Sequence, residues 1–140
     1  MWEDTNKMSD KDNDPINPNH YISNLSGVEC IDFCEEFDFC LGNALKYLWR
    51  CEEKDTATEN LRKAVWYIER ELFINENKHL LFSKPSMYDY LERVTEEMSS
   101  NVGNAFTIIC SLHKTDCVEH ALKVAIGLLE NDILRRELES

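Results

Sequence analysis

Apolar and polar residues alternate with a helical period along most of the chain after residue 28. Between Glu59 and Phe73, apolar side chains recur three or four positions apart, the spacing that forms one face of an α-helix. Similar patterns over residues 28–37, 41–50, 87–99, 102–112 and 117–138 predict five more helices. The helix that contains residues 41–50 is predicted to end in the polar run at 52–55. Thr58 is the predicted N-cap of the helix over 59–73. The fold class expected is all-α, a compact helical bundle.

The first 14 residues consist mostly of Asp, Asn, Lys, Glu and Ser, with almost no apolar content. Such a segment cannot offset its ordering entropy, so a disordered or loosely attached acidic tail is predicted. Pro15 and Pro18 then mark an extended segment. Residues 15–140 are long enough for a single helical domain with its own core.

The second half of the chain is similar to the first. Residues 102–106 (VGNAF) match residues 41–45 (LGNAL) at an offset of 61, and Glu119 and Lys123 match Glu59 and Lys63 at an offset of 60. A one-residue loop deletion accounts for the difference. A repeated unit over residues 15–74 with a degenerate copy over 86–140 explains the match, and two unrelated helical hairpins are the alternative.

One face of the helix over residues 41–50 is a polar, cationic stripe. Residues at i, i+3, i+4 and i+7 share a helical face, and here they are Asn43, Lys46, Tyr47 and Arg50. In the second half the cations are lost, since Thr107, Ile108 and Ser111 correspond to Lys46, Tyr47 and Arg50. The first half is therefore expected to keep an anion-binding site, with the second half as its packing partner.

Composition makes this stripe unusual, because 27 Asp and Glu against 15 Lys and Arg give a formal net charge of -12. That balance argues against binding duplex nucleic acid or an anionic membrane surface, and leaves a small anion in a local basic site. No apolar run is long enough to span a membrane, and no secretory signal is evident, so a cytoplasmic protein is expected. The six cysteines are accordingly predicted to be free thiols rather than disulfides or zinc ligands.

Four motifs occur in order: NPNHY at 17–21, GVECID at 27–32, LGNALKYLWR at 41–50 and ENLRKAVWYI at 59–68. Over about residues 15–72 the chain thereby resembles a small bacteriophage domain family of formerly unknown function. The family includes a coliphage nucleoside monophosphate kinase without a P-loop. The resemblance implies a phage protein that handles nucleotides, in the host cytoplasm. Family members usually have Glu-Asp-Leu at 59–61 and a glycine-containing turn at 51–53, and these two departures favour binding over catalysis.

The residues themselves suggest how a phosphate would be held. Arg50 can form a forked bond to phosphate, Lys46 and Lys63 can act as point charges, and Asn43 can bond a base or ribose. Glu29 and Asp32, one helical turn apart, can hold Mg²⁺ and are the candidate metal ligands or general base. The remaining candidate nucleotide contacts are His20, Tyr21, Tyr47 and Tyr67.

Each assignment has an ordinary structural alternative. The carboxylates at 29 and 32 can be a solvated face, and Lys46 and Arg50 can form surface ion pairs with them, each worth about 0 to 1 kcal/mol. His20 can pack at a helix end. Tyr21, Trp49 and Trp66 are expected to be core aromatics rather than base platforms. Tyr67 lies beside the polar face of its helix, where its hydroxyl can reach the pocket, but packing is the expectation for it too.

Three functions follow from different classes. The first is a nucleoside monophosphate kinase that uses ATP and Mg²⁺, with no P-loop sequence in the chain. The second is a non-catalytic protein that sequesters a nucleotide or a nucleotide-derived defence signal. The third is an acidic helical protein that binds a host protein. A homo-oligomer is an open expectation.

Overall fold

The computed structural model of the chain describes residues 29–53, 56–76 and 81–139. These residues form six α-helices and no strand, which confirms the predicted all-α bundle. The helices are α1 (Cys30–Cys34), α2 (Phe39–Trp49), α3 (Ala57–Ile74), α4 (Leu91–Thr95), α5 (Ser100–Cys110) and α6 (Val118–Glu139), with 3₁₀ turns at Cys51–Glu53, Tyr88–Tyr90 and Leu112–Lys114. The predicted tail and the candidate residues His20 and Tyr21 lie outside the described residues.

The helices form two packed pairs, α2 with α3 and α5 with α6, which meet through α3 against α6 and α2 against α5. Their apolar faces enclose one core. Three rings from both halves lie at its centre, with the Phe33 and Phe106 centroids 5.6 Å apart and those of Phe33 and Trp49 6.3 Å apart. Burying large apolar side chains in this way is the main stabilising contribution to the fold. Among the described residues, no helix has the length and apolar character needed to cross a membrane.

The two halves repeat the same order of elements at one constant offset. Cys30 and Leu91, Phe39 and Ser100, Cys51 and Leu112, and Ala57 and Val118 begin equivalent elements, and each pair is 61 residues apart. A constant offset needs no loop deletion, and it pairs Glu59 and Lys63 with His120 and Val124, not with Glu119 and Lys123. The correspondence between the halves favours duplication over two unrelated hairpins.

Two glycines occupy equivalent close contacts in this repeat. A Cβ on Gly42 would lie 2.9 Å from the carbonyl oxygen of Cys34, at the end of α1. A Cβ on Gly103 would lie 3.3 Å from the carbonyl oxygen of Thr95, at the end of α4. In both halves, glycine lets the long helix approach the backbone of the short helix before it.

Several predicted helix limits were wrong. Thr58 lies inside α3, whose N-cap is Thr56. The helices predicted over 28–37 and 87–99 are only five residues each, at Cys30–Cys34 and Leu91–Thr95. The first ends early because Phe37 donates its N–H to the carbonyl of Cys34, a tight turn that directs the chain into Asp38, the N-cap of α2. Periodicity continued through these turns because their apolar residues also face the core.

Candidate functional site

Two lysines and several aromatic rings from α2 and α3 meet at one surface. The rings of Tyr47 and Tyr67 stack with centroids 6.0 Å apart and an interplanar angle of 13°. Lys46 Nζ lies 4.8 Å and Lys63 Nζ 5.4 Å from the Tyr47 centroid, so cations from both helices approach one ring. We call this the lysine–aromatic surface; its members are Phe39, Lys46, Tyr47, Lys63, Trp66 and Tyr67.

The outer rings of this surface are exposed to solvent. Phe39 is 74% exposed and Trp66 is 55% exposed, and each makes an edge-to-face contact with Tyr67, at 6.0 and 5.1 Å between centroids. The expectation that Trp66 packs in the core was therefore wrong, whereas that for Trp49, 9% exposed, is confirmed. An exposed tryptophan beside cations is a surface on which a planar group can stack.

Neither lysine is paired with a carboxylate in the part of the chain that the structure describes. Within residues 29–53, 56–76 and 81–139, Lys46 and Lys63 form no ion pair. The alternative in which Lys46 pairs with Glu29 or Asp32 is thus not seen in this part of the chain. Two ammonium groups that form no ion pair with the described residues favour a local positive potential on a strongly acidic protein.

Asn43 and Arg50 extend the polar stripe along α2. The Asn43 amide nitrogen donates one of its two hydrogens to the carbonyl of Phe39 at 2.8 Å. The side-chain oxygen of Asn43 is not used in this bond and can accept a hydrogen bond from a ligand. Arg50 is the half-buried C-cap of α2. Its charge and that of Lys46 both act on Cys30, so this end of the stripe lies beside α1.

Glu29 and Asp32 form the capping box of α1. Asp32 Oδ2 accepts the backbone N–H of Glu29 at 2.9 Å, and Glu29 is the N-cap residue. Capping satisfies backbone donors at the start of the helix, and it explains both carboxylates without a metal ion. No group of three or more His, Cys, Asp or Glu suited to a metal occurs in the described parts of the chain. Mg²⁺ at this position would depend largely on ligand oxygens and water.

The cysteines in the described residues are free thiols. Cys30 and Cys34 are adjacent, with their sulfur atoms 3.5 Å apart. The hydrogen bond and charge of Cys34, together with burial, raise the pKa of Cys30 well above its ordinary value, although Lys46 and Arg50 act in the opposite direction. A protonated, buried thiol is a poor nucleophile and a poor metal ligand.

A shallow cleft shares Trp66 with the lysine–aromatic surface. It has a volume of about 300 Å³ and lies between α3 and α6. Its lining residues are Arg62, Val65, Trp66, Glu69, Glu130 and Ile133. The Arg62 charge is paired with Glu137, while Glu69 and Glu130 have no hydrogen-bond or ion-pair partner among the described residues. The cleft therefore offers an aromatic wall, an apolar floor and carboxylate acceptors.

The structure thus brings Lys46, Tyr47, Lys63 and Tyr67 together, whereas Glu29 and Asp32 form the capping box of α1. Sequence reasoning missed three buried polar residues, Asn60, Glu71 and Asp132, which are 4%, 2% and 1% exposed. A signal was present, since Glu71 follows Ala64 by seven residues and Asp132 follows Ala125 by seven. Both therefore lie on the buried stripe of their helices.

Comparison with known proteins agrees with part of the sequence interpretation. Residues 16–69 match the model of a family described as a protein of unknown function (DUF3310). That range contains all four motifs on which the resemblance was based, and all six members of the lysine–aromatic surface. No curated protein and no solved structure matches the chain.

Proposed function

We propose that the chain is a nucleotide-binding protein of phage type and that the lysine–aromatic surface holds the ligand. One observation carries the proposal: α2 and α3 each direct a lysine to the same tyrosine ring, and exposed aromatic rings lie beside them. A nucleotide needs cations for its phosphates and an apolar face for its base, and this surface supplies both. The resemblance to a phage family that includes a nucleotide kinase points to the same ligand.

The polarity of the surroundings suggests an orientation for that ligand. The phosphates would contact Lys46 and Lys63, with Arg50 farther along α2. The base would stack on Trp66, which also lines the cleft that contains Glu69 and Glu130. Unpaired carboxylates repel phosphate but accept hydrogen bonds from the ring N–H or exocyclic amino groups of a base. A base with such donors on its pairing edge is therefore the preferred ligand.

Binding without phosphoryl transfer is the favoured form of the proposal. Transfer needs a metal ion that bridges phosphates, together with a dry, closed pocket. The candidate carboxylates Glu29 and Asp32 cap α1, and the lysine–aromatic surface is open to solvent. A sequestering protein needs only the cations and the ring faces. The kinase, with ATP and Mg²⁺, is the second candidate because of the family resemblance.

The test is calorimetric titration of the full chain with a panel of nucleoside mono-, di- and triphosphates. The Lys46→Ala, Lys63→Ala double variant is expected to weaken binding at least tenfold, since each charged hydrogen bond contributes about 1.5 to 3 kcal/mol. Lys123→Ala is the matched control, because Lys123 is an exposed helical lysine of the second half, paired with Glu119. Unchanged affinity in the double variant would place the ligand elsewhere.

A second measurement separates the candidates. The protein is incubated with Mg-ATP and each nucleoside monophosphate, and diphosphate formation is followed. Tight binding without turnover supports sequestration, whereas turnover that is lost in Glu29→Gln or Asp32→Asn while affinity is kept supports the kinase. If no nucleotide binds, the nucleotide proposal fails and the protein-binding alternative is left.

A further inference from the structure

A second group of cationic and hydroxyl side chains lies in the C-terminal half, away from the lysine–aromatic surface. Its centre is the ring of Tyr88, with Lys84 Nζ 5.5 Å and Lys114 Nζ 5.1 Å from the ring centroid. The Tyr88 hydroxyl lies 3.2 Å from Ser111 Oγ, and His113 meets the ring edge to face at 5.0 Å. We call these five residues the Tyr88 cluster.

Two segments of the chain, residues 84–88 and 111–114, build this cluster. Lys84 comes from the segment before the 3₁₀ turn that contains Tyr88, and Ser111 is the C-cap of α5. His113 and Lys114 belong to the following 3₁₀ turn, Leu112–Lys114. Ser111 is 61 residues after Arg50, the C-cap of α2. The cluster therefore occupies the position in the second half that corresponds to the arginine end of the stripe.

Hydrogen-bond donors outnumber acceptors in the cluster. Tyr88 and Ser111 share one hydrogen bond, so one of their two hydroxyl protons stays available. Lys114 Nζ lies over the Tyr88 ring, and its ammonium group carries three N–H donors. His113 Nδ1 is buried and has no hydrogen-bond partner among the described residues, the kind of atom that a bound group or water satisfies.

The electrostatics at this point favour negative charge. Hydrogen bonds from Lys114 and Ser111 lower the pKa of Tyr88, and the charges of Lys114 and Lys84 act in the same direction. Lys84 is paired with Asp89, whose Oδ1 lies 3.9 Å from Lys84 Nζ and whose side chain is 86% exposed. Such an exposed pair is weak and yields to a stronger anion.

We propose that the Tyr88 cluster is a second anion site, which binds the phosphate group of a small molecule independently of the lysine–aromatic surface. A phosphate oxygen accepts a hydrogen bond from the available hydroxyl of the Tyr88–Ser111 pair, and the two ammonium groups neutralise the remaining charge. The C-terminal half is then a binding unit in its own right and not only a packing partner. The site would recognise phosphate through residues unrelated to those of the first half.

The test uses inorganic phosphate and pyrophosphate as probes on the full chain, with NMR detection of tyrosine ring signals. Binding is expected to perturb the Tyr88 signals and to move the titration of this phenol to higher pH, because a neighbouring dianion opposes the phenolate. Tyr88→Phe identifies the signals and removes the titration. A merely structural Tyr88 would show neither response to phosphate.

Variants then assign the binding to the cluster. Lys84→Ala with Lys114→Ala is expected to reduce the phosphate affinity measured at the Tyr88 signals at least tenfold, whereas the control Lys123→Ala, outside both anion sites, leaves it unchanged. Circular dichroism verifies that each variant is folded. Unperturbed Tyr88 signals at saturating phosphate, or equal affinity in the Lys84 and Lys114 double variant, would overturn the second site whether or not nucleotides bind at Lys46 and Lys63.

Discussion

At the scale of single residues, Glu71 shows how burial and charge oppose each other in this fold. Its side chain is 2% exposed, and Asn75 Nδ2 donates to Glu71 Oε2 at 2.8 Å. Burial, followed by the hydrogen bond and charge of Asp38, raises the pKa of Glu71 from its ordinary value of 4.5 to about 8. The folded state therefore holds a proton on Glu71 that the unfolded state releases above pH 4.5.

Stability should fall as the pH rises between these two values. Between 4.5 and about 8 the folded chain binds more protons than the unfolded chain, so the free energy of unfolding decreases with increasing pH. Glu71→Gln keeps a neutral hydrogen-bonding group of the same shape and should be more stable than the parent at pH 8.5 by about 1 to 2 kcal/mol. Urea denaturation at pH 5.5 and 8.5 measures this. Glu59→Gln, an exposed change on the same helix, controls for net charge, and equal pH slopes in both variants would contradict the assignment.

The sequence predicted individual residues well where one helix decides their position. Lys46, Tyr47 and Arg50 share a face of α2 because of helical spacing alone. The meeting of Lys63 with Tyr47 depends instead on how α3 packs against α2, which spacing within one helix does not determine. Trp66 was expected in the core because it is a large aromatic residue. It lies outside the apolar stripe of α3, however, and is 55% exposed.

At the scale of elements, a glycine in each half determines how closely a long helix packs on a short one. Gly42→Ala would place a Cβ 2.9 Å from a backbone oxygen, which cannot move as a flexible side chain would. The cost is expected to be about 1 to 3 kcal/mol, the usual effect of overpacking. At Gly103 the corresponding distance is 3.3 Å, and the cost should be smaller.

Gly127 supplies the matched control, since a Cβ there would meet nothing within 4 Å and the residue lies inside α6. Gly127→Ala should raise stability by up to about 1 kcal/mol because alanine favours the helix. Thermal denaturation of the three variants should therefore rank Gly127→Ala above the parent, then Gly103→Ala, then Gly42→Ala. Equal effects at 42 and 127 would show that helix propensity, and not the close approach to α1, determines the change in stability.

The sequence predicted which helices form, but it did not predict where each of them ends. The long helices α2, α3, α5 and α6 follow from apolar periodicity over ten or more residues. The ends of α1 and α4 depend on turns whose residues also face the core, so the pattern continues beyond the helix. The repeat of 61 residues was visible at Gly42 and Gly103, while its constancy over every element is seen only in three dimensions.

At the scale of the whole molecule, an ion-pair network joins the last helix to the first half. Asp132, 1% exposed on α6, accepts from Arg136 Nε at 2.7 Å and from Arg135 Nη2 at 3.0 Å. Arg136 also binds Glu52, in the turn between α2 and α3. Burial raises the pKa of Asp132, but the hydrogen bonds and charges of the two arginines outweigh it and leave the pKa below its ordinary value. The carboxylate thus contributes to stability above the unfolded pKa, and the contribution is lost as the pH falls through the folded value.

Asp132→Asn should destabilise the fold by about 2 to 4 kcal/mol, because it leaves the charge of half-buried Arg136 without its buried partner. Urea denaturation at pH 7 measures the loss. The exposed pair of Glu119 and Lys123 has a similar distance, 2.8 Å between Oε2 and Nζ, and Glu119→Gln should leave the unfolding midpoint unchanged. Below the folded pKa of Asp132, the parent and Asp132→Asn should converge in stability, since both then carry a neutral group. If the difference in free energy of unfolding between the two proteins stays constant down to pH 2, then packing, and not charge, stabilises the contact between α6 and the turn that precedes α3.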